Sequence, residues 1–198
     1  MAAEYQDGLR YLRNLAALDA GAVGPTSPKL VLSLGSNVGN LTRAEAAAFL
    51  RQVRETMGPR DRQLIGIDLR KDRAVLEPAY DDARGVTARF NKNLLTRINR
   101  ELGGRFDTRA FRHLAAYDEA AGRVDMFLVS LRRQCVPIEA LGLEVRLEQG
   151  EAIHTESSYK YSLAEIDRLA ERARLALRRR WLDGGQRFAL NLLAPRPG

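Results

Sequence analysis

One stretch decides the fold class of this 198-residue chain: Lys29-Leu-Val-Leu-Ser-Leu-Gly-Ser-Asn-Val-Gly-Asn40. Its first half is a nearly continuous apolar run, which is typical of a strand buried on both faces of a parallel sheet. Its second half is a turn with two glycines, after which Thr42-Arg-Ala-Glu45 predicts a capping box at the start of a helix. A second apolar run follows at Gln63–Leu69, so residues 29–69 predict a parallel strand–helix–strand unit.

The middle of the chain has a different pattern. A helix is predicted over residues 86–102, with an apolar face made by Phe90, Leu94, Ile98 and Leu102. Strand-like runs follow at residues 123–131 and 143–147, and the turn-like segment Asp118–Gly122 predicts an antiparallel hairpin. This mixture predicts an α+β insert rather than a continuation of the parallel sheet.

The end of the chain returns to the first pattern. Ser162-Leu-Ala-Glu165 predicts a second capping box, and the spacing of apolar residues from Ile166 predicts a long amphipathic helix that extends to Leu177. Asp183-Gly-Gly185 predicts a hairpin after it. The sequence therefore predicts an α/β protein in which residues 1–69 and 160–198 form one domain and residues 70–159 form an inserted second domain.

Composition excludes several classes of protein. Lys and Arg number 32 against 25 Asp and Glu, a net charge of +7, but the arginines are spread along the chain and mostly alternate with acids. The one dense group is Arg172, Arg174 and residues 178–180, which we interpret as a solvated helix face, so no nucleic-acid partner is expected. No apolar run approaches the ~20 residues of a membrane span. The single Cys135 excludes a disulfide framework and favours the cytoplasm.

A ligand site is predicted at the turn Gly35–Asn40. In open α/β sheets, ligands bind beyond the carboxyl ends of parallel strands, where this turn lies. Asn40 stands just before the predicted helix start, and free N–H groups and the helix dipole favour a carboxylate or phosphate there. The alternative is that the glycines and asparagines only make a tight turn.

The segment Thr155-Glu-Ser-Ser-Tyr-Lys-Tyr161 is dense in polar groups. If it is extended, Glu156 and Ser158 share one face, which suits a cationic or N–H-bearing ligand. The alternative is an exposed polar loop. His154 has only His113 as a second histidine, far away in sequence, so no metal site is predicted.

Three segments together resemble one known family: Leu32–Leu41, Ala79–Asn91 and Thr155–Tyr161. They are similar to the histidine Nα-methyltransferases of ergothioneine biosynthesis. These enzymes use S-adenosylmethionine (SAM) to convert L-histidine into its trimethylated betaine, hercynine. The resemblance implies the C-terminal part of a Rossmann-like methyltransferase sheet with an inserted α+β substrate-binding domain.

The resemblance also implies roles for individual residues. Asn40 matches the residue that holds the substrate carboxylate, and Tyr80 matches a tyrosine that contacts the bound amino acid. Glu156 and Ser158 match the pair that hydrogen-bonds the imidazole, and Met126 matches a position in the pocket wall.

The implied cofactor is SAM, with Glu4 and Tyr5 aligned to the pair that contacts its adenine and Gly35 assigned to the same cofactor. The implied reaction is in-line attack of the neutral α-amine on the sulfonium methyl, for which the protein supplies positioning and needs no catalytic residue or metal.

Members of the family are longer, and their glycine-rich SAM motif precedes the point at which this chain starts. We therefore expect little methylation by these 198 residues alone, and exposed edges and apolar faces where a parallel sheet lacks strands. The full-length protein is expected to be a monomer. Two alternatives remain at this point: a non-catalytic amino-acid-binding remnant, or a related methyltransferase acting on an indole amino acid.

Overall fold

The computed structural model describes residues 8–14 and 27–196. Residues 8–14 are helical. The other helices are α1 (Arg43–Glu55), α2 (Arg73–Tyr80), α3 (Val86–Leu102) and α4 (Leu163–Arg172). The strands are β1 (Leu30–Ser33), β2 (Arg62–Asp68), β3 (Phe111–Asp118), β4 (Arg123–Ser130), β5 (Gln134–Ile138), β6 (Leu143–Leu147), β7 (Ala152–Tyr159), β8 (Leu175–Leu182) and β9 (Phe188–Pro195). None of these described helices is long and apolar enough to cross a membrane.

The chain divides into two compact units. Unit 1 consists of Met1–Arg70 and Tyr159–Gly198, and unit 2 consists of Lys71–Ser158. That unit 2 is a substrate-binding domain stays a prediction. Glu4 and Tyr5, the predicted adenine contacts, lie outside the described residues.

Unit 1 contains a four-stranded sheet in the order β1-β2-β9-β8. β1 and β2 are parallel, with Leu32 opposite Leu64, whereas β9 pairs antiparallel with both β2 and β8. The predicted parallel strand–helix–strand unit and the C-terminal hairpin are therefore confirmed. Both predicted capping boxes are present, at Thr42 with Glu45 and at Ser162 with Glu165.

The core of unit 1 lies where α1 and α4 cover this sheet. Their apolar faces meet the inward residues of β2, and the large, fully buried aliphatic side chains there include Leu50, Ile65, Ile67 and Ile166. Because each helix buries only one stripe of apolar residues, the polar remainder of each faces outward.

The prediction that the first strand is buried on both faces is wrong. Leu30, Leu32 and Leu34 are 56 %, 58 % and 52 % exposed, and Val31 packs against the core from the opposite face. β1 is an edge strand of the sheet, and within the described residues no element covers the face that carries the three leucines. The apolar run predicts the strand correctly, but one face of that strand is exposed in this chain.

The predicted long C-terminal helix is also wrong. α4 ends at Arg172, and Arg174 adopts a positive φ of 56°, which a helix cannot continue. Leu177 instead lies in β8 opposite Leu193, where it still packs against the core. The arginines at residues 178–180 thus belong to a strand and not to a helix face.

Unit 2 combines a three-stranded sheet, β3-β4-β7, with the two-stranded sheet β5-β6. The predicted hairpin is confirmed, because β3 and β4 pair antiparallel from Phe111 opposite Ser130 to Asp118 opposite Arg123. Two apolar clusters fill this unit: Leu95, Phe111 and Leu128 belong to the first, and Leu76, Val124 and Met126 to the second.

Helix α3 forms over the predicted residues, and two of the four residues of its predicted apolar face, Ile98 and Leu102, pack against the first cluster. Phe90 and Leu94 are 69 % and 42 % exposed, whereas Asn91 and Leu95 are buried. The Asn91 amide lies within hydrogen-bond distance of the buried His113 ring. The buried face of α3 therefore includes a polar residue, Asn91, that hydrophobic spacing does not predict.

Candidate functional site

The turn after β1 is tied to the end of β2. Gly35 and Ser36 have positive φ values of 82° and 59°. The Ser36 hydroxyl oxygen accepts a hydrogen bond from the backbone N–H of Asp68 at 2.9 Å, and the Ser36 carbonyl accepts one from Gly39 N–H at 2.8 Å. The carboxyl ends of the two parallel strands therefore carry a fixed turn at the edge where such sheets bind ligands.

Asn40 ends this turn and lines a cavity of about 520 Å³ in unit 1. The cavity has an apolar wall that includes Leu9, Val38 and Phe49, together with the amide side chains of Asn37, Asn40 and Gln52. Amides can donate to and accept from a polar ligand while the apolar wall contacts its carbon atoms. The arrangement suits an amphipathic small molecule.

The start of helix α1 carries a carboxylate of its own. The Glu45 carboxylate accepts a hydrogen bond from Thr42 N–H at 2.9 Å, and hydrogen bonds with Thr42 lower the pKa of Glu45. Glu45 N–H in turn donates to the Thr42 hydroxyl at 3.2 Å. The helix dipole is therefore partly compensated by this capping box.

In unit 2 the structure brings three predicted substrate residues together. Tyr80 is the last residue of α2, and its phenol oxygen lies 2.9 Å from the Ser158 hydroxyl on β7. The Tyr80 ring packs against the buried cluster that contains Met126. Ser158 and Met126 are 8 % and 4 % exposed, so this hydroxyl pair lies beside a closed apolar wall.

Glu156 lies two residues before Ser158 on the same strand, so the two side chains project from one face. The segment is a strand, and the alternative of an exposed polar loop is wrong. Glu156 is half-buried, and within the described residues its carboxylate has no hydrogen-bond or ion-pair partner. A partly buried carboxylate without a partner keeps its full capacity to accept N–H donors.

The motif around Tyr80 also contains a capping residue. The Asp82 carboxylate accepts hydrogen bonds from Thr87 N–H at 2.8 Å and Val86 N–H at 3.0 Å. These bonds, the one from Thr87 first, lower the pKa of Asp82 to about 2. Asp82 thus anchors the first turn of α3 close in sequence to Tyr80, a structural role that the resemblance alone does not assign.

Unit 2 also contains a polar cluster that residue spacing does not predict, formed by Asp125, His154 and Ser157. Asp125 Oδ1 lies 3.2 Å from His154 Nε2 and accepts from the Ser157 hydroxyl at 2.6 Å, while Ser157 is also 3.1 Å from the same His154 nitrogen. In a nucleophilic triad the acid and the serine contact different nitrogens of the histidine, so this cluster is not one. Among the described residues, no group of three His, Cys, Asp or Glu side chains could hold a metal ion.

Comparison with known proteins identifies the family. Residues 1–195 match the model of the histidine-specific, SAM-dependent methyltransferases. This chain belongs to that family. A histidine N-alpha-methyltransferase of Mycolicibacterium smegmatis is 42 % identical over 174 residues, which are 87 % of this chain and 54 % of that protein. Ergothioneine biosynthesis protein 1 of Neurospora crassa is 35 % identical over 169 residues, covering 84 % of this chain and 18 % of the other.

The methyltransferase chain thus spans about half the length of the bacterial relative. Among solved structures, an S-adenosylmethionine-dependent methyltransferase of Clostridium acetobutylicum aligns with a TM-score of 0.46 and 8 % identity, over 88 % of this chain and 62 % of that one. The match to the family model confirms the predicted family, and the helices and sheets of this chain confirm the predicted α/β class. The parallel β1–β2 pair agrees with the Rossmann-like sheet that the resemblance implies.

Proposed function

We propose that this chain supplies the histidine-recognising part of a SAM-dependent methyltransferase that converts L-histidine into hercynine. One observation carries the proposal: the half-buried Glu156 carboxylate has no partner among the described residues and shares a strand face with Ser158, which contacts Tyr80. The Glu156 carboxylate can accept a hydrogen bond from an imidazole N–H, and the Ser158 hydroxyl can form a second hydrogen bond with the ring.

The chemistry favours an N–H-bearing ring over an apolar one. Binding a ligand without a donor would desolvate the Glu156 carboxylate and leave it unpaired, which costs about 1–3 kcal/mol or more for a charged group. Sites built around such a group reject analogues that lack the matching hydrogen-bonding atom. Met126 and the Tyr80 ring would contact the flat faces or edges of the bound ring.

Asn40 is our candidate for the substrate carboxylate, because its exposed amide stands at the ligand-binding edge of unit 1. Carboxylates accept amide N–H donors well. Its role remains a proposal, as do the roles of Glu4 and Tyr5, which lie outside the described residues.

The residues of unit 1 fit the cofactor in two respects. The positive φ of Gly35 would strain any side chain at the point where the turn begins, and the cavity beside the turn combines an apolar wall with amide groups. We assign Gly35 and this wall to the cofactor. When bound, SAM supplies an electrophilic methyl group on a sulfonium. The chain's own residues would orient the substrate with its α-amine neutral and exclude water, without forming a covalent intermediate.

Calorimetric titration of the purified chain with L-histidine and SAM, separately, tests the proposal. We expect histidine to bind, and Glu156→Gln to weaken that binding at least tenfold. Glu148→Gln is the matched control, because Glu148 lies in the same unit and its side chain forms an exposed ion pair with Arg133. Unchanged histidine affinity in Glu156→Gln contradicts the proposal.

The same titrations separate the alternatives. Binding of histidine without SAM supports a non-catalytic amino-acid-binding module, and tighter binding of tryptophan than of histidine supports an indole substrate. Hercynine detected by mass spectrometry after incubation with both ligands would contradict the expectation that these residues alone are inactive. We further propose a cytoplasmic location, since Cys135 is a free, exposed thiol.

A further inference from the structure

His113 is buried on β3 between two polar groups of unit 2. Its Nε2 lies 2.7 Å from the carbonyl oxygen of Tyr80, and its Nδ1 lies 2.9 Å from the amide nitrogen of Asn91. Only 9 % of the residue is exposed. We propose that His113 and Asn91 are positioning residues that hold Tyr80 at its contact with Ser158. This proposal rests on the proposed function, in which Tyr80 and Ser158 contact the substrate.

The contacts indicate which ring nitrogen of His113 carries the hydrogen. A carbonyl oxygen can only accept a hydrogen bond, so Nε2 of His113 carries a hydrogen. The Asn91 amide nitrogen also donates to the carbonyl oxygen of Phe127 at 3.3 Å, which orients its NH₂ group towards both acceptors. With the amide in this orientation, Nδ1 of His113 accepts and Nε2 donates, so we expect the tautomer that carries its N–H on Nε2.

The position of Tyr80 explains why this contact matters. The last carbonyl groups of a helix have no partner within the helix, and Tyr80 is the final residue of α2. His113 donates to the Tyr80 carbonyl from β3. A second bond joins the same two elements, because the Glu77 carboxylate accepts from Tyr117 N–H at 3.1 Å.

Tyr80 is thus held at two points: its carbonyl by His113 and its phenol at Ser158. A side chain fixed at both ends loses little further freedom when a ligand binds, which raises affinity. Asn91, the last residue of the second family-like segment, then acts on the site through His113 and not by touching the substrate.

Nuclear magnetic resonance tests the positioning directly. In the wild-type chain we expect the His113 ring to be neutral with the proton on Nε2, and a nuclear Overhauser contact between the Tyr80 ring and the Ser158 β protons. A proton on Nδ1 at neutral pH overturns the proposal. His154→Gln removes the only other histidine of the sequence, so the remaining ring signals belong to His113. The same variant serves as the control, because the His154 side chain is 50 % exposed.

Two substitutions separate the hydrogen bond from ring packing. His113→Gln keeps an N–H donor near the position of Nε2 and should keep the contact between Tyr80 and Ser158. His113→Leu removes both polar contacts and should lose it. Persistence of the contact in His113→Leu overturns the proposal. Should that variant fail to fold, Asn91→Leu takes its place, with loss of the contact expected and persistence overturning the proposal.

Histidine titration adds a functional readout. Tyr80→Phe and His113→Leu should each raise the dissociation constant about tenfold, and His113→Gln should raise it less than threefold. The double variant should bind no more weakly than either single variant, because His113 acts through Tyr80. If the double variant raises the dissociation constant by the product of the two single effects, the inference is wrong. Absence of histidine binding, or an unaffected Tyr80→Phe, refutes the proposed function, while the resonance result still decides the positioning.

Discussion

The ammonium of Lys160 lies 2.9 Å from the Asp68 carboxylate, and only 2 % of the Lys160 side chain is exposed. Asp68 ends β2 and Lys160 follows directly on β7. Backbone hydrogen bonds join the same two segments, from Tyr161 N–H to the Asp68 carbonyl at 3.1 Å and from Arg70 N–H to the Tyr161 carbonyl at 3.0 Å. The ion pair therefore fastens two segments of unit 1 that are 92 residues apart in the chain, the difference between positions 68 and 160.

Breaking this pair should lower the free energy of unfolding, and by more when Asp68 is replaced than when Lys160 is replaced. The Asp68 side chain is 21 % exposed and can regain water, whereas Lys160 cannot. Asp68→Asn should therefore lower the free energy of unfolding by about 3 kcal/mol, because it leaves a buried charge without its carboxylate. Lys160→Met should lower it less.

Urea unfolding measures both effects. Glu148→Gln is the control, because both side chains of the Glu148–Arg133 pair are exposed, and it should change stability by less than about 1 kcal/mol. An Asp68→Asn variant as stable as Glu148→Gln would contradict the role given to the buried pair.

Glu165 should make stability depend on acid pH. Burial alone would raise its pKa, but hydrogen bonds from Arg70 and Ser162 and the charges of Arg43 and Arg70 lower the pKa to about 2, from an ordinary value of 4.5. A lowered pKa stabilises the fold above the unfolded value, and the contribution is lost as pH falls from about 4.5 to about 2.

We expect Glu165→Gln to cost about 1–2 kcal/mol at pH 7, after allowance for solvent screening, and clearly less at pH 3. Unfolding titrations of both proteins at the two pH values provide the measurement. Glu171→Gln, which alters an exposed pair with Arg196, should show no such pH dependence. If the wild type and Glu165→Gln differ in unfolding free energy by the same amount at pH 7 and pH 3, the lowered pKa of Glu165 does not stabilise the fold.

Arg174 ends α4 in a conformation that favours glycine. Its φ of 56° lies in the left-handed region, which costs a residue with a Cβ about 1–2 kcal/mol. Arg174→Gly should relieve this strain and raise the free energy of unfolding by about 0.5–1 kcal/mol, a smaller gain than the strain itself because glycine gains entropy in the unfolded chain. Arg168→Gly, inside α4, should have the opposite sign. Thermal and urea unfolding compare the two, and a destabilised Arg174→Gly variant would contradict the prediction.

The exposed leucines of β1 should promote self-association. Leu30 and Leu32 on this edge strand and Leu34 just after it form an exposed apolar surface, which favours pairing with another chain. Leu32→Lys should shift the chain towards monomer in sedimentation velocity experiments at high protein concentration. Leu141→Lys, at an equally exposed leucine of unit 2, should not. Self-association that is unchanged by Leu32→Lys would show that another surface is responsible.

Local signals in the sequence predicted much of unit 1. The two capping boxes are confirmed because each needs only residues three positions apart, and the parallel β1–β2 pair follows from two apolar runs separated by a helix. The end of α4 was missed because residues up to Leu177 keep helical spacing of apolar side chains. Pairing of β8 with β9 outweighs that local preference.

The candidate site was predicted unevenly. Glu156 and Ser158 could be expected on one face, since alternation along a strand needs only local geometry. The contact of Tyr80 with Ser158 joins residues 78 positions apart, and the bond from His113 to Tyr80 joins residues 33 apart. Neither distance can be read from residue spacing.

The sequence by itself determined the family, the α/β class, the helix starts and most strands, because these depend on local hydrogen bonding, apolar periodicity and matched motifs. Only the tertiary structure decided which residues of α3 are buried, which groups the His113 ring contacts, and that the Glu156 carboxylate has no partner among the described residues. Those properties depend on groups that folding brings together from distant parts of the chain, where burial makes each polar contact selective.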